Sequence, residues 1–236
     1  MVGIVVALPE ELATLTRVKP AQEECFALNA RVFVVYAGAG PLNAAKAAYS
    51  LIGKGVASLI SWGCAAALSP DLKPGALLLP LQVVSEQGER FSTDAQAVQF
   101  LQALFLKNLT INTAALLESS RVVADSREKQ RLHDQTGAVA LDMESAAVMK
   151  VAEMERLPCL VVRAIADPVS MDLPKAVVQA LNAQGQIELA KLLRYLLTHP
   201  WQIPALIKLG LYFHAAQKTL KVVAGKLNDF LDFKPI

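Results

Sequence analysis

The chain has 236 residues, is 54% hydrophobic, and sets 23 Lys and Arg against 21 Asp and Glu for a formal charge of +2. That length and apolar content suffice for one large buried core, and so balanced a charge gives no field that would recruit nucleic acid. Three cysteines, Cys25, Cys64 and Cys159, odd in number and without CxxC spacing, point away from a disulfide framework or a metal site and toward a reducing cytoplasm.

Taken in order, the opening MVGIVVALPEE turns acidic directly after its apolar run and has no basic leader, so Val2 to Leu8 reads as a first strand. Pro9 with Glu10 and Glu11 then starts a helix, since proline tolerates the first turn and carboxylates favour the positive end of the dipole. Further strands are expected over Arg31 to Ala37, Ser58 to Trp62, Ala76 to Val84, Ala138 to Leu141 and Cys159 to Ile165. Helices are expected over Leu42 to Ile52, Asp94 to Leu106, Ser126 to Gln135, Glu144 to Glu155 and Pro174 to Leu197. The strand runs are nearly continuously apolar rather than alternating, so both sheet faces are covered. The pattern predicts a single-domain three-layer α/β/α sandwich with a mixed, mostly parallel central sheet over residues 1–197.

After His199-Pro200-Trp201 the chain changes character. Residues 198–236 read as an amphipathic, basic helical extension, with Lys208, Lys218, Lys221 and Lys226 among apolar residues and Trp201 and Tyr212 as interfacial aromatics. Such a helix packs on the core, on a neighbouring subunit, or on a membrane surface. No run reaches the roughly 18 apolar residues of a spanning helix, yet the mean hydropathy of +0.38 is high for a soluble chain. A subunit interface or a membrane face would bury that surplus.

In an open α/β sheet, ligands bind at the carboxyl ends of strands. Asp142-Met143-Glu144 closes one strand and opens a helix there, and the Glu144 carboxylate suits a ribose cis-diol, with helix capping as the alternative from spacing alone. Asp167 ends the next apolar strand before Pro168. A partly buried Asp with a raised pKa can protonate a departing base, although an Asp at that place also serves to cap a turn. Gly38-Ala39-Gly40-Pro41 joins a strand to a helix, so its amides either cradle an anion or form an ordinary tight turn.

Four segments, GIVVALPEE, YAGAGPLNAAKAA, ISWGCAAALSPDLKPGALLLP and the pair ALDMESAAV with VVRAIADP, together resemble the nucleoside phosphorylase and nucleosidase superfamily. This superfamily includes purine nucleoside phosphorylases and methylthioadenosine/S-adenosylhomocysteine nucleosidases, and the likeness runs from residue 2 to 197. The resemblance implies cleavage of the N-glycosidic bond of a purine nucleoside or adenosyl compound, without metal or organic cofactor. Glu144 and Met143 would contact the ribose, Asp167 would protonate the purine, and Glu11 would activate water. It also implies a homo-oligomer.

Three departures from the family pattern matter. Cys64 stands where those enzymes usually place a serine or threonine in the substrate site. The segment around Val123 carries no aromatic to stack on the base, and the stretch from Glu86 to Thr93 is short. Gly38 to Pro41 resembles the phosphorylases whereas Leu8 to Glu11 resembles the nucleosidases, and Ser61 stands where a phosphate-binding arginine is expected. Inorganic phosphate as co-substrate and water therefore both stay open, with Gly38, Gly40 and Gly63 as the phosphate or water site. HPWQIPALIKLG and the basic tail are similar to the hopanoid-biosynthesis-associated branch, which implies adenine removal from an adenosylated lipid by a cytoplasmic enzyme in peripheral contact with the inner membrane. A binding or membrane-associated module that keeps the fold without turnover is the competing reading.

Overall fold

The computed structural model describes residues 1–182 and 188–231. Its sheet is centred on the long strand β4 (Ser58–Ala67), which pairs in parallel with β1 (Val2–Val6) on one side and β11 (Cys159–Asp167) on the other. Beyond β1 lie β3 (Val32–Tyr36), parallel to it, and the antiparallel edge strand β2 (Cys25–Asn29). β1 has no residue left to pair beyond Trp62, so the far half of β4 is free to take a different neighbour, β10 (Ala140–Asp142), antiparallel at Ala66 and Ala67. The sheet therefore forks around Gly63 and Cys64. On the β10 arm follow β9 (Leu116–Glu118), β6 (Gln82–Val84) and β7 (Arg90–Ser92). On the β11 arm follow β5 (Leu77–Leu78) and β8 (Ile111–Asn112). The central sheet is mixed, as expected.

Helices cover both faces. α2 (Pro41–Ile52) and α5 (Ser145–Met154) close one face through Ala44, Ala48, Leu51, Val148 and Val151, all buried. On the other, α3 (Ala95–Phe105) and the second half of α8 (Ile203–Ala224) bring Val98, Phe105, Ala216 and Leu220 against Ile4, Ile60 and Trp62. α3 starts where expected because the Asp94 carboxylate accepts the N–H groups of Gln96 and Ala97, satisfying donors that the first turn leaves open.

Two expectations fail. The strand foreseen over Ala76 to Val84 is two strands, β5 and β6, on different arms of the sheet. Pro80 between them has no N–H to give a ladder, so one continuous central strand cannot run through it. The helix foreseen from Pro174 to Leu197 is also two: α6 (Lys175–Ala180) ends where Leu181 turns extended, and α7 covers Leu189–Thr198. The intervening 183–187, and the end of the expected basic helix at 232–236, lie outside the described residues. Periodicity did not reveal β2, β7, β8 or β9, which are short or at edges. α4 (Ser126–Thr136) lies within a residue of its expected span, closed by Gly137 in the left-handed region at φ 70°.

Candidate active site

The fork in the sheet is where the carboxylates gather. α1 (Pro9–Leu12) follows β1 across a two-residue link and turns Glu11 back over β4. Its Oε1 accepts the Cys64 N–H at 2.7 Å and its Oε2 the Leu8 N–H at 3.0 Å. Position 63 has to be glycine for this approach, because a Cβ there would sit 2.5 Å from Oε1 and 2.9 Å from Oε2. Burial pushes the Glu11 carboxyl above its ordinary range, while Arg163 and the backbone N–H donors pull it back. A buried carboxylate held this way is a proton acceptor poised nearer neutrality than a free glutamate.

Glu144 stands at the N-cap position of α5, yet its side chain makes no capping bond. Two other acids serve the helix start: Asp142 Oδ1 accepts from Ser145 N–H at 3.3 Å and Glu118 Oε2 from Ala147 N–H at 2.7 Å. Glu144 is thereby released toward the glycine turn, where Oε1 accepts the Gly40 N–H at 2.9 Å, and its Oε2 accepts the Met143 N–H at 3.3 Å. The group held by the glycine turn in this structure is thus the chain's own Glu144 carboxyl. Gly40 at φ 98° and Gly38 at φ 84° adopt backbone that side-chain-bearing residues rarely enter, and that bend is what aims the Gly40 N–H. Burial, then the charges of Asp142 and Glu11, raise the Glu144 carboxyl to about 8 despite Arg163 nearby.

Asp167 ends β11 just past a register shift between Ile165 and Asp167, an irregularity that turns the side chain out of the ladder. Its Oδ2 takes the ammonium of Lys129 at 2.6 Å, and that fully buried lysine also donates to the carbonyl of Met171 at 2.9 Å. Oδ1 is buried without any partner. A buried acceptor with nothing to accept from costs about 1–3 kcal/mol, a cost removed when the oxygen is protonated or meets a ligand donor. Burial raises the Asp167 carboxyl and Lys129 opposes that rise. Among the described residues no turn N–H donates to the Asp167 carboxyl, so it does not cap the turn.

Beneath these groups lies Arg163, 2% exposed. Its Nε donates to Asp142 Oδ2 at 2.7 Å and its outer nitrogen to the hydroxyls of Ser61 at 2.7 Å and Ser145 at 3.0 Å, while the other nitrogen reaches the Val162 carbonyl at 3.2 Å. Its charge bears on Glu11, Asp142 and Glu144 together. Sequence reasoning quoted Arg163 and gave it no part; only the fold shows that it shares a layer with three acids. Lys129 and Glu118 were missed too, both on segments that read as ordinary helix and loop. Burial raises the Glu118 carboxyl to about 7.

The remaining expected residues fall as follows. Cys64 contributes its N–H to Glu11, while burial and then the Glu11 charge drive its thiol well above the usual range, so the sulfur stays protonated. Val123 is 3% exposed and packs with Leu68, Leu117 and Leu141 in a third apolar cluster, so its side chain belongs to the core. The segment beside it is still tied to the Asp167 loop, since the Ala124 carbonyl accepts the Leu173 N–H at 2.9 Å.

A family model described as the phosphorylase superfamily matches residues 1–198. The chain belongs to the phosphorylase superfamily. The α/β sandwich and the reading of an enzyme stand with that membership. Among curated proteins, the aminodeoxyfutalosine nucleosidase of Campylobacter jejuni is 24% identical over 157 residues, 59% of this chain and 69% of its own length. Among solved structures, the Helicobacter pylori methylthioadenosine/S-adenosylhomocysteine nucleosidase superposes with a TM-score of 0.70 at 18% identity, covering 98% of this chain and 97% of that one. The futalosine hydrolase of the same organism gives 0.69 at 18% identity, covering 98% of this chain and 97% of that one. At such identities these superpositions establish the fold of this phosphorylase-superfamily member, and the chemistry has to come from its own residues.

Proposed function

We propose that the protein hydrolyses the N-glycosidic bond of an adenosyl nucleoside and releases the free base. The observation that carries the reading is the Glu11 carboxylate, clamped by two N–H groups over Gly63 at the point where the sheet forks and within electrostatic reach of Glu144. Glu144 accepts the ribose hydroxyls, Glu11 takes a proton from water as it attacks the anomeric carbon, and Asp167 gives the leaving base its proton through Oδ1. The bond to the base breaks as the bond to the water oxygen forms, and the base leaves carrying the Asp167 proton.

Water is favoured over phosphate by charge. The guanidinium of Arg163 is already engaged on Asp142, Ser61, Ser145 and Val162. A phosphate dianion would meet the acidic side chains of Glu11 and Glu144 with no uncommitted guanidinium of Arg163 to bind it. The finer reading of an adenosylated lipid such as a hopanoid as substrate draws on the exposed apolar and basic face of α7 and α8. A homo-oligomer stays within the same reading as a family trait.

The test incubates the purified protein with adenosine, methylthioadenosine and an adenosylated lipid, each with and without inorganic phosphate, and follows free adenine by chromatography. Release independent of phosphate is expected, and release only with phosphate would overturn hydrolysis. No release from any substrate would favour the binding-module reading. Asp167→Asn should lower the rate by about 100-fold or more, and full activity in that variant would remove Asp167 from its role.

A further inference from the structure

From residue 189 to 215 no side chain is buried, a stretch that takes in all of α7, the short 3-10 turn Pro200–Gln202 and the first half of α8. α7 exposes Leu189, Leu193 and Leu197, and α8 exposes Ile203, Ile207 and Leu211. Each set is spaced by four residues, so each forms one continuous stripe along its helix. Trp201, two-thirds exposed, stands at the corner between them. The corner is stiff: Tyr195 stacks on His199 with ring centroids 4.1 Å apart, and His199 meets the Trp201 ring edge-on at 5.0 Å.

Charge decides what such a face fits. Between 189 and 224 the sequence holds Lys191, Arg194, Lys208, Lys218 and Lys221 and not one Asp or Glu. Among the described residues only Lys191 is paired with an acid, Glu188, at 2.9 Å just before the helix. A second copy of the chain docking symmetrically on this face would set basic side chains against basic side chains. A surface with an apolar interior and anionic headgroups answers both the stripes and the charge, and an exposed tryptophan is the residue that settles at such a boundary. Among the described residues no helix is long and apolar enough to cross a membrane, which leaves the helices lying in the plane of the headgroups.

We propose that α7, the Trp201 corner and the first half of α8 form a docking surface for an anionic lipid bilayer. The second half of α8 couples that surface to the enzyme body. Thr219 Oγ1 donates to the Gly75 carbonyl at 2.6 Å, and Gln217 Nε2 donates to the carbonyl of Glu10, next to the water-activating Glu11, at 3.0 Å. Bilayer binding and base release are separable, because the stripe residues are exposed on α7 and α8 whereas the carboxylates gather at the sheet fork.

Co-sedimentation of the full chain with vesicles tests this, using three parts phosphatidylcholine to one part phosphatidylglycerol, and phosphatidylcholine alone. The protein should pellet with the anionic vesicles, less with the neutral ones, and less again as salt is raised. Leu193→Glu with Ile207→Glu should weaken binding by about tenfold or more while leaving adenine release from soluble methylthioadenosine as in the parent, which reports an intact fold. Failure of the parent to pellet, or equal pelleting of parent and variant, would overturn the proposal. So would sedimentation equilibrium showing that the parent self-associates through this face and the variant is monomeric, with neither bound to vesicles.

Discussion

The sheet fork and the α7–α8 face are opposite solutions to holding unusual side chains. At the fork, Glu11, Asp142, Glu144, Glu118 and Asp167 are crowded into a region that excludes water, and most of their oxygens meet an N–H, a hydroxyl or a cation. On α7 and the first half of α8, large apolar groups stand exposed to solvent. The first region is costly to assemble and intolerant of change, because each charge is compensated by a particular neighbour. The second contributes little to folding, so its composition answers to something other than stability.

The largest effect expected from breaking the first region comes at Arg163. Replacement by Met fits the space but strands Asp142 in a dry layer beside two more carboxylates, and removing one partner of a buried pair costs about 3–5 kcal/mol. Urea denaturation should show the loss, and a variant as stable as the parent would mean that the acids can be relieved some other way. Next, Gly63→Ala places a methyl where Glu11 Oε1 now lies, 2.5 Å from it. The carboxylate has to move, and a displacement of order 1 Å costs about 100-fold in rate. Steady-state assays should show kcat falling far more than the melting temperature.

A third effect is read against pH. Glu144 titrates near 8 in the folded chain and near its ordinary value of 4.5 when unfolded. Between these two values the folded state holds a proton that the unfolded state has released, so the stability contributed by this group is present at low pH and is lost as pH rises through that window. Glu144→Gln cannot ionise. Thermal melts of the two proteins across that range should show the parent losing stability relative to the variant as pH rises, and parallel curves would place the ionisation elsewhere.

Much of this was legible in the sequence because it rests on strand ends. Continuous apolar runs located β1, β3, β4 and β11, and whatever follows such a run in an α/β sheet lands at the strand ends where ligands bind, which singled out Glu144 and Asp167; Glu11 was singled out by the family resemblance. The partners were not legible. Lys129 sits in SREKQRLHD, a polar helix with the look of a solvated surface, and only the docking of α4 against the loop after Asp167 buries its ammonium. Arg163 was in plain view within VVRAIADP, but a charge inside an apolar strand is explained only by what lies across from it, and its partners are 21 and 102 residues away. At Val123, a position suggested by family likeness, the side chain packs among Leu68, Leu117 and Leu141. The break at Ala180 was hidden because 174–197 has helical composition on both sides of it.

The smallest effect is expected at Leu193, and it sharpens the contrast most. If the exposed leucines of α7 served the fold, Leu193→Glu would destabilise the chain by several kcal/mol, as charge placed in a core does. α7 buries none of its side chains, so the substitution should fall within about 0.5 kcal/mol of the parent in urea, and a glutamate set between Leu189 and Leu197 should make the protein more soluble rather than less. A large loss of stability would instead mean that α7 packs on something in solution, and the stripe would have to be counted with the core. An unchanged stability leaves three leucines in a row that do nothing for the folded chain, and their exposure then has to be explained by what they meet outside it.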